Sequence, residues 1–429
     1  ELNNINIIPG LYKLFDEAIV NCRDHHVRQD TKIANGEKAY PVTNIDITVT
    51  EDNISMLNDG DGIDVEKHPE YDLWIPEMIF GHLRTSTNYD KSQKKIVGGK
   101  NGFGFKLVLI WSTEGCIETV DATRGLKYVQ YFRNNLDVIE KPKITKCTRK
   151  PYTRITFKPD LARLGIDRLS KDMISLFHRR VLDIAAVTDK KVKVKYNGDL
   201  VPVKHFQHYV DMYLGGKTES TDKVPRIYEA ANARWEYAIS LADEFTQVSF
   251  VNGIFTSKGG KHIEYILGQI TRKLVAFIKK KKKIDVKAST IKEQLMLFVR
   301  CDIENPSFDS QTKDHMTSPI SSFGSTCTVS DKFIEKIAKM GVMDAACALT
   351  EVKETKQVKK ADGTKSRTIR GLPKLIDANF AGTARSSECV LILCEGDSAK
   401  AGIVSGLGQA DRNTIGVYPM RGKLFNVRE

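Results

Sequence analysis

Long hydrophobic runs are missing from this chain of 429 residues. The longest hold five or six residues, as at Cys389–Cys394. That is too few for a helix that crosses a membrane, and no membrane partner is expected. Cysteine is sparse and unpatterned. The eight are scattered without a Cys-x-x-Cys pair, which argues against a disulfide framework and a zinc module and fits a reducing compartment. No internal repeat or low-complexity block stands out, so a fibre is excluded. The chain opens at Glu1 with no Met and no charged-then-apolar leader, and the expectation is a fragment with residues upstream.

What is present is a globular composition, 41% hydrophobic and 28% charged, which excludes a disordered chain. At about 150 residues per domain the length implies roughly two to four domains. Lys and Arg number 66 against 54 Asp and Glu, a formal charge of +12. A basic surplus favours a polyanion partner, nucleic acid first. A lysine-rich soluble surface gives the same sum, and charge alone does not separate the two.

Periodicity organises the chain. Leu11, Leu14, Phe15, Ala18, Ile19 and Cys22 form one apolar stripe and predict a helix over 10–26. Alternation at Ile45, Ile47 and Val49, followed by a turn and Ile54–Leu57, predicts a hairpin over 43–57. Further strands are expected near 116–132, 153–158 and 192–196, with a helix near 170–187. The mixture is α+β. A polar, glycine-containing stretch at 215–223 places a boundary, so that 1–215 is the first domain and 216–329 a second, α/β unit. Residues 330–356 read as one long amphipathic helix and 357–371 as a charged linker, giving a connecting segment 330–371. A third unit, 372–429, opens on the apolar strand Cys389–Cys394 and is unfinished at Glu429.

Three separated pieces could assemble a nucleotide site. Glu17 and Asn21 stand four apart on the first helix, with Asp24 three further on, so all three share a ridge beside the apolar stripe. A carboxylate there can take a proton from water, and an amide oxygen one turn away suits Mg²⁺. Taken alone, such residues are more often polar surface. Asn58-Asp-Gly-Asp-Gly62 follows the second hairpin strand; it is either an ordinary turn or a strand-end acceptor for an adenine amino group. Gly98-Gly-Lys-Asn-Gly-Phe-Gly-Phe-Lys106 is a glycine-rich loop opening a helix, a shape that presents N–H groups to phosphates. It is neither a Walker A loop nor the dinucleotide G-x-G-x-x-G. Lys106 is a phosphate contact or a solvated lysine.

The order and spacing of these pieces resemble the ATPase boxes of the GHKL superfamily. The stretch Ile8-Pro-Gly-Leu-Tyr-Lys-Leu-Phe-Asp-Glu-Ala-Ile-Val-Asn21 resembles the first box of eukaryotic-type topoisomerase II. So do Phe80–Tyr89 and Gly98–Leu107. Ile303–Lys313 resembles that family's transducer loop, and Glu395-Gly-Asp-Ser-Ala-Lys400 and Pro419–Glu429 its TOPRIM region. The resemblance implies a GHKL ATPase sandwich, a transducer domain like ribosomal protein S5 domain 2, a connecting helix and the start of a TOPRIM domain. It implies ATP and Mg²⁺ as cofactors, double-stranded DNA as partner, a homodimer, and an intracellular site wherever the genome is handled, the nucleus in a eukaryotic cell.

Roles follow residue by residue. Glu17 is implied as general base and Asn21 as Mg²⁺ ligand. Asn58 stands at the adenine-reading position. Ser86, Thr87 and Asn88 match ribose and phosphate contacts, and Asn101, Gly102, Phe103, Gly104 and Lys106 the phosphate loop. Gln311 and Lys313 match residues that reach the γ-phosphate from the second domain, which would let that domain sense ATP against ADP. Glu395 is implied as a metal ligand for DNA cleavage, with a helix N-cap as its plain alternative. Arg421 and Lys423 would lie beside cleaved DNA. His25, where the family has Asn, and Phe105, where it has Ala, depart from the pattern. Tyr152 sits in a Pro-Tyr-Thr-Arg context that mimics a nucleophile but matches a strand, and is read as structural. The run Lys279–Lys283 divides evenly between a solvated face and a DNA contact, and Lys258 and Lys261 around Gly259-Gly260 are similar candidates.

The implied function is an ATP-dependent type IIA topoisomerase. Its main rival is an ATP-driven clamp or chaperone of the same superfamily, like MutL or Hsp90, which should lack the segments from Glu395 on. A bacterial-type gyrase subunit and a catalytically inactive binding module are weaker alternatives.

Overall fold

The computed structural model describes residues 4–82, 96–97, 104–215, 224–350, 374–408 and 410–420. The expected site residues Ser86, Thr87, Asn88, Asn101, Gly102, Phe103, Arg421 and Lys423 lie outside these, as do the linker 357–371 and most of 215–223.

Helix α1 (Pro9–Ala34) runs two turns beyond the expected end. Pro9 fits a first helical turn, where its missing N–H is not needed. Its apolar stripe packs on a sheet made of β1 (Asn44–Val49), β2 (Ile54–Asp59) and seven later strands. After α2 (Ile75–Gly81) and α3 (Gly104–Ile110) come β3 (Ser112–Asp121), β4 (Leu126–Arg133), β5 (Val138–Ile139), β6 (Lys143–Lys146) and β7 (Tyr152–Pro159). Helix α4 (Lys171–Val187), β8 (Lys193–Tyr196), β9 (Asp199–Leu200) and α5 (Phe206–Tyr213) complete the unit. The sheet order is β5-β4-β3-β7-β2-β1-β8-β9, with β6 on β4. Only the β1–β8 pairing is parallel among these. Phe15 of α1 stacks on Phe177 of α4, ring centroids 4.3 Å apart. Ser170 caps α4 by accepting from Met173 N.

The second sheet holds β10 (Arg226–Asn232), β11 (Trp235–Leu241), β12 (Thr246–Val251), β13 (Ile254–Phe255) and, after α6 (Lys261–Lys282) and α7 (Ala288–Lys292), β14 (Leu295–Cys301). Its order is β10-β11-β14-β12-β13, and β12 runs parallel to β14 through the α6 crossover. Both faces are buried, which explains the near-continuous apolar run of β14. Trp235, Tyr237, Ile239, Leu297 and Val299 face α6. Ala238, Val248, Phe250 and Phe298 face the other way and join the core of the first unit.

Residues 331–350 are helical but not one straight helix. Helix α8 (Asp331–Ile337) passes into a π-turn at Ala338–Val342 and then α9 (343–350). Gly341, at φ 104°, breaks the run that sequence periodicity reads as continuous. The last described unit pairs β15 (Val390–Glu395) parallel with β16 (Ile415–Met420), flanked by α10 (Gly396–Gly406) and α11 (Asp411–Thr414). The apolar strand expected at Cys389–Cys394 is present as β15. Val390, Leu391 and Leu393 are half or more exposed, because the described residues place only two strands in this sheet and leave those side chains uncovered.

Candidate active site

The site begins on α1. Glu17, 8% exposed, sits on the flank of the apolar stripe, with half-buried Asn21 one turn on and fully buried Asp24 beyond. The ridge expected from the spacing is therefore present, but it points into the protein rather than to solvent. Oε1 of Glu17 lies 2.9 Å from Lys13 Nζ and 3.3 Å from Lys313 Nζ. Oε2 faces Gly104, the first residue of α3. A Cβ added to Gly104 would fall 2.0 Å from that oxygen, so glycine lets the carboxylate keep this position against α3. Lys106, two residues into α3, is buried, and burial lowers its ammonium pKa.

Asn58 is the penultimate residue of β2 and is buried, its Nδ2 donating to Asp59 O at 3.0 Å. The turn after it is braced rather than loose. Asp59 accepts from the backbone N–H of Thr43 and Asn44, and His25 Nε2 meets Asp61 O at 2.8 Å. Burial drives the His25 pKa down to about 3, so the ring is neutral and serves as a prop under the turn. Phe105 packs edge-on to Phe80 and Phe157, filling the space behind α3. Both departures from the family pattern thus act in packing.

Lys313 arrives from the second unit. It is 7% exposed and sits at φ 61° in a loop running from Asn305 to Met316. The loop is pinned by Lys258 N donating to Asp314 O and Met316 N donating to Gly259 O. Gly260, at φ 138°, lies so close to Met316 that a Cβ would be 2.3 Å from its carbonyl oxygen. The Gly259-Gly260 pair therefore anchors the Lys313 loop. The flanking lysines make ion pairs instead of presenting a bare surface: Lys258 with Asp314 at 3.7 Å and Lys261 with Glu264 at 2.8 Å. Gln311 is exposed at the loop tip and does not join Lys313 beside Glu17.

Buried polar bonds fix the two units at this boundary. Arg23 Nη2 meets Asp302 Oδ1 at 2.6 Å, and its Nε donates to Val187 O. Arg180 bonds Asp16 Oδ1 and Gly253 O, both at 2.7 Å. Asn252 donates to Val97 O and Ile303 O. Burial pushes the Asp16 carboxyl up, but Arg180 and Lys13 outweigh it and hold it at about 2. Sequence reading missed Lys13 and these arginines. For Lys13 a signal existed, its i, i+4 spacing to Glu17. The arginine partners lie 279 and 164 positions away, and no local pattern points to them.

The remaining expectations fall elsewhere. Glu395 ends β15, exposed, and its side chain makes no cap bond to α10, so the N-cap alternative is not realised. Among the described residues no three His, Cys, Asp or Glu converge as a metal cluster. Tyr152 donates to Glu118 within the sheet, as a structural tyrosine should. Of the lysine run, Lys279 pairs with Asp285 and Lys282 with Asp344. No helix among the described residues is long and apolar enough to cross a membrane.

Comparison with known proteins places this geometry in a lineage. The family model for DNA gyrase B matches residues 205–367. The chain is 46% identical to DNA topoisomerase 2 of Arabidopsis thaliana over 430 residues, covering 99% of this chain and 29% of that protein. With the Saccharomyces cerevisiae DNA topoisomerase 2 it shares 42% over 441 residues, covering 99% and 30%. The chain thus spans less than a third of the length of these relatives. Among solved structures, the ATPase region of S. cerevisiae topoisomerase II superposes with a TM-score of 0.72 at 41% identity, over 79% of this chain and 86% of that one. The ATPase and transducer domains of the Balamuthia mandrillaris enzyme give 0.74 at 37%, over 82% and 87%. A relationship this extensive, spanning both sheets and the loop between them, means that the chain belongs to the DNA topoisomerase II family.

Proposed function

We propose that this chain is the nucleotide-operated part of an ATP-dependent type IIA DNA topoisomerase. Residues 1–215 would form the ATPase domain, 216–329 the transducer, 330–371 the connection and 372–429 the start of the DNA-cleaving unit. The observation that carries the reading is the 3.3 Å approach of Lys313 Nζ to Glu17 Oε1 across the boundary between the two sheets. A base on one side and a cation on the other suit a reaction that takes a proton from water and stabilises a phosphate.

In this reading Glu17 accepts a proton as the water oxygen bonds to the γ-phosphorus. The bond from phosphorus to the bridging oxygen breaks, and ADP leaves with its electron pair. Lys313 would exchange Glu17 for the γ-phosphate oxygens, a contact that ADP cannot offer. Asn58 would read the adenine edge. Ser86, Thr87 and Asn88 would hold ribose and phosphate, Asn101, Gly102, Phe103, Gly104 and Lys106 would cradle the phosphates, and Gln311 would close on them once nucleotide is bound. The family implies Mg²⁺. The donor set fits it: a half-buried amide oxygen on Asn21, one turn from Glu17, is a hard ligand, and Mg²⁺ otherwise takes water and phosphate. When bound, the ion would neutralise phosphate charge.

Nucleotide binding would join two copies of this chain around one DNA duplex, while a second duplex is cut by residues beyond this chain. Glu395, with a second metal ion, and Arg421 and Lys423 would serve that cut. The protein would work wherever the genome is handled. The rival reading, a clamp or chaperone, is disfavoured by an alignment that takes in 99% of the chain, the Glu395 segment included.

The test is unlinking of catenated DNA circles by the full-length protein with Mg²⁺, run with ATP, without ATP, and with Glu17→Ala. ATP-dependent unlinking that fails to turn over in the variant is expected. Hydrolysis with no unlinking would overturn the topoisomerase reading in favour of the clamp.

A further inference from the structure

Lys13 lies one turn before Glu17 on α1. Its ammonium meets three acceptors: Glu17 Oε1 at 2.9 Å, Asp16 Oδ2 at 3.1 Å and the carbonyl oxygen of Thr312 at 3.4 Å. The ammonium donates to Asp16 and to the Thr312 carbonyl and is ion-paired with Glu17. Thr312 immediately precedes Lys313, and Lys313 reaches the same Oε1. One carboxylate oxygen is therefore held by two ammonium groups, one from each unit. The first of them also grips the backbone beside the second.

An i, i+4 lysine–glutamate pair on a helix surface would ordinarily be worth a few tenths of a kcal/mol. This pair is different on three counts. Glu17 is buried, Lys13 is only 21% exposed along its side chain, and the ammonium bridges to another element. The chain of contacts also continues. Asp16 is gripped by Arg180, whose other arm holds Gly253 O at the turn between β12 and β13. Lys13 thus ends a buried polar path that starts in the second sheet.

We propose that Lys13 is a positioning residue that holds the Glu17 carboxylate in register with the Lys313 loop, so that the base is aligned only while that loop is docked. The proposal rests on the reading of Glu17 as the base for ATP hydrolysis. When a γ-phosphate takes Lys313, Lys13 remains, being anchored on the same helix as Glu17. It keeps the carboxylate from rotating away, and its bond to Thr312 O ties that orientation to the loop. Among the described residues Lys13 contacts none assigned to the nucleotide other than Glu17 and the loop backbone, and its loss is expected to affect turnover and not ATP binding.

The test is steady-state hydrolysis by the full-length protein with Lys13→Met, Lys313→Met and the double variant, together with Tm for each. Lys13→Met is expected to lower kcat at least tenfold with KM for ATP within twofold. The losses of Lys13→Met and Lys313→Met should multiply in the double variant, because with ATP bound Lys13 holds the carboxylate while Lys313 contacts the γ-phosphate. Lys13→Gln, nearer in shape, carries the same expectation should Lys13→Met not fold. An unchanged kcat, a KM for ATP that rises in step with the loss, or a loss that follows a falling Tm overturns the proposal. A wild-type protein without Glu17-dependent hydrolysis would instead sink the function reading itself.

Discussion

Glu17 and Lys313 are 296 positions apart in the chain and 3.3 Å apart in space. The contact depends on the left-handed turn at Lys313 and on the two glycines that pin its loop, so a cation from the second sheet is delivered to a buried carboxylate of the first. Under the proposed function the cation of this pair would have two partners, the carboxylate or a phosphate. That would make it a means of choosing between nucleotides.

Replacing the cation tests that choice. Lys313→Met should lower the preference for a non-hydrolysable ATP analogue over ADP by about tenfold, the order expected for one charge-assisted contact. Equilibrium titration with fluorescent nucleotides measures it. Equal losses for both nucleotides would show that Lys313 does not report the γ-phosphate.

Gly104 tests the alignment of Glu17 from the opposite side. Gly104→Ala puts a methyl where Oε2 now lies, 2.0 Å from the built Cβ, so the carboxylate must turn away. Alanine itself favours the helix, and global stability should change by less than about 1 kcal/mol. Hydrolysis should fall by roughly a hundredfold, since small misplacements of a reacting group have effects of that order. Phosphate release together with urea unfolding separates the two effects.

Asp16 and Arg180 form a buried pair with side chains 7% and 0% exposed. Asp16→Asn leaves a buried guanidinium short of its nearer carboxylate, with Asp183 at 3.8 Å as the remaining one. The expected loss is about 3 kcal/mol at pH 7. Because the folded pKa of Asp16 is depressed to about 2, its stabilisation is present above pH 4 and lost as pH falls towards 2. The urea midpoints of wild type and variant should therefore converge in acid.

His262 supplies a second pH dependence. It is fully buried, its Nε2 3.1 Å from Thr256 Oγ1, and burial, aided by His315, lowers its pKa to about 3. The unfolded chain takes up a proton near pH 6.5 that the folded chain refuses until about 3. Stability is thus complete above 6.5 and falls by about 1.4 kcal/mol per pH unit below it. His262→Gln should flatten that slope by one proton equivalent in urea titrations between pH 5 and 7.

Much of this architecture was legible in the sequence. The α1 stripe, the first hairpin and α4 follow from periodicity because each buries one face. The Glu17–Asn21 ridge followed from helical spacing. Other features could not be read locally. Gly341 interrupts a run whose apolar residues keep their period on both sides of the break. The strand at Val390 is apolar, which reads as burial, yet hydrophobicity alone does not say what covers it. The spacing of Lys13 to Glu17 could be read locally, but its bond to a carbonyl 299 positions away could not.

The second sheet divides its two faces between two cores. Ala238, Val248, Phe250 and Phe298 wall the core of the first unit, while the alternate residues build the other core. The first unit does not enclose its interior alone, since a face of the second sheet walls it, so heating should melt both in one cooperative transition. The same arrangement limits how they can move. Separation would open apolar surface to water, whereas sliding keeps it covered, and shear over this wall is the motion the packing permits.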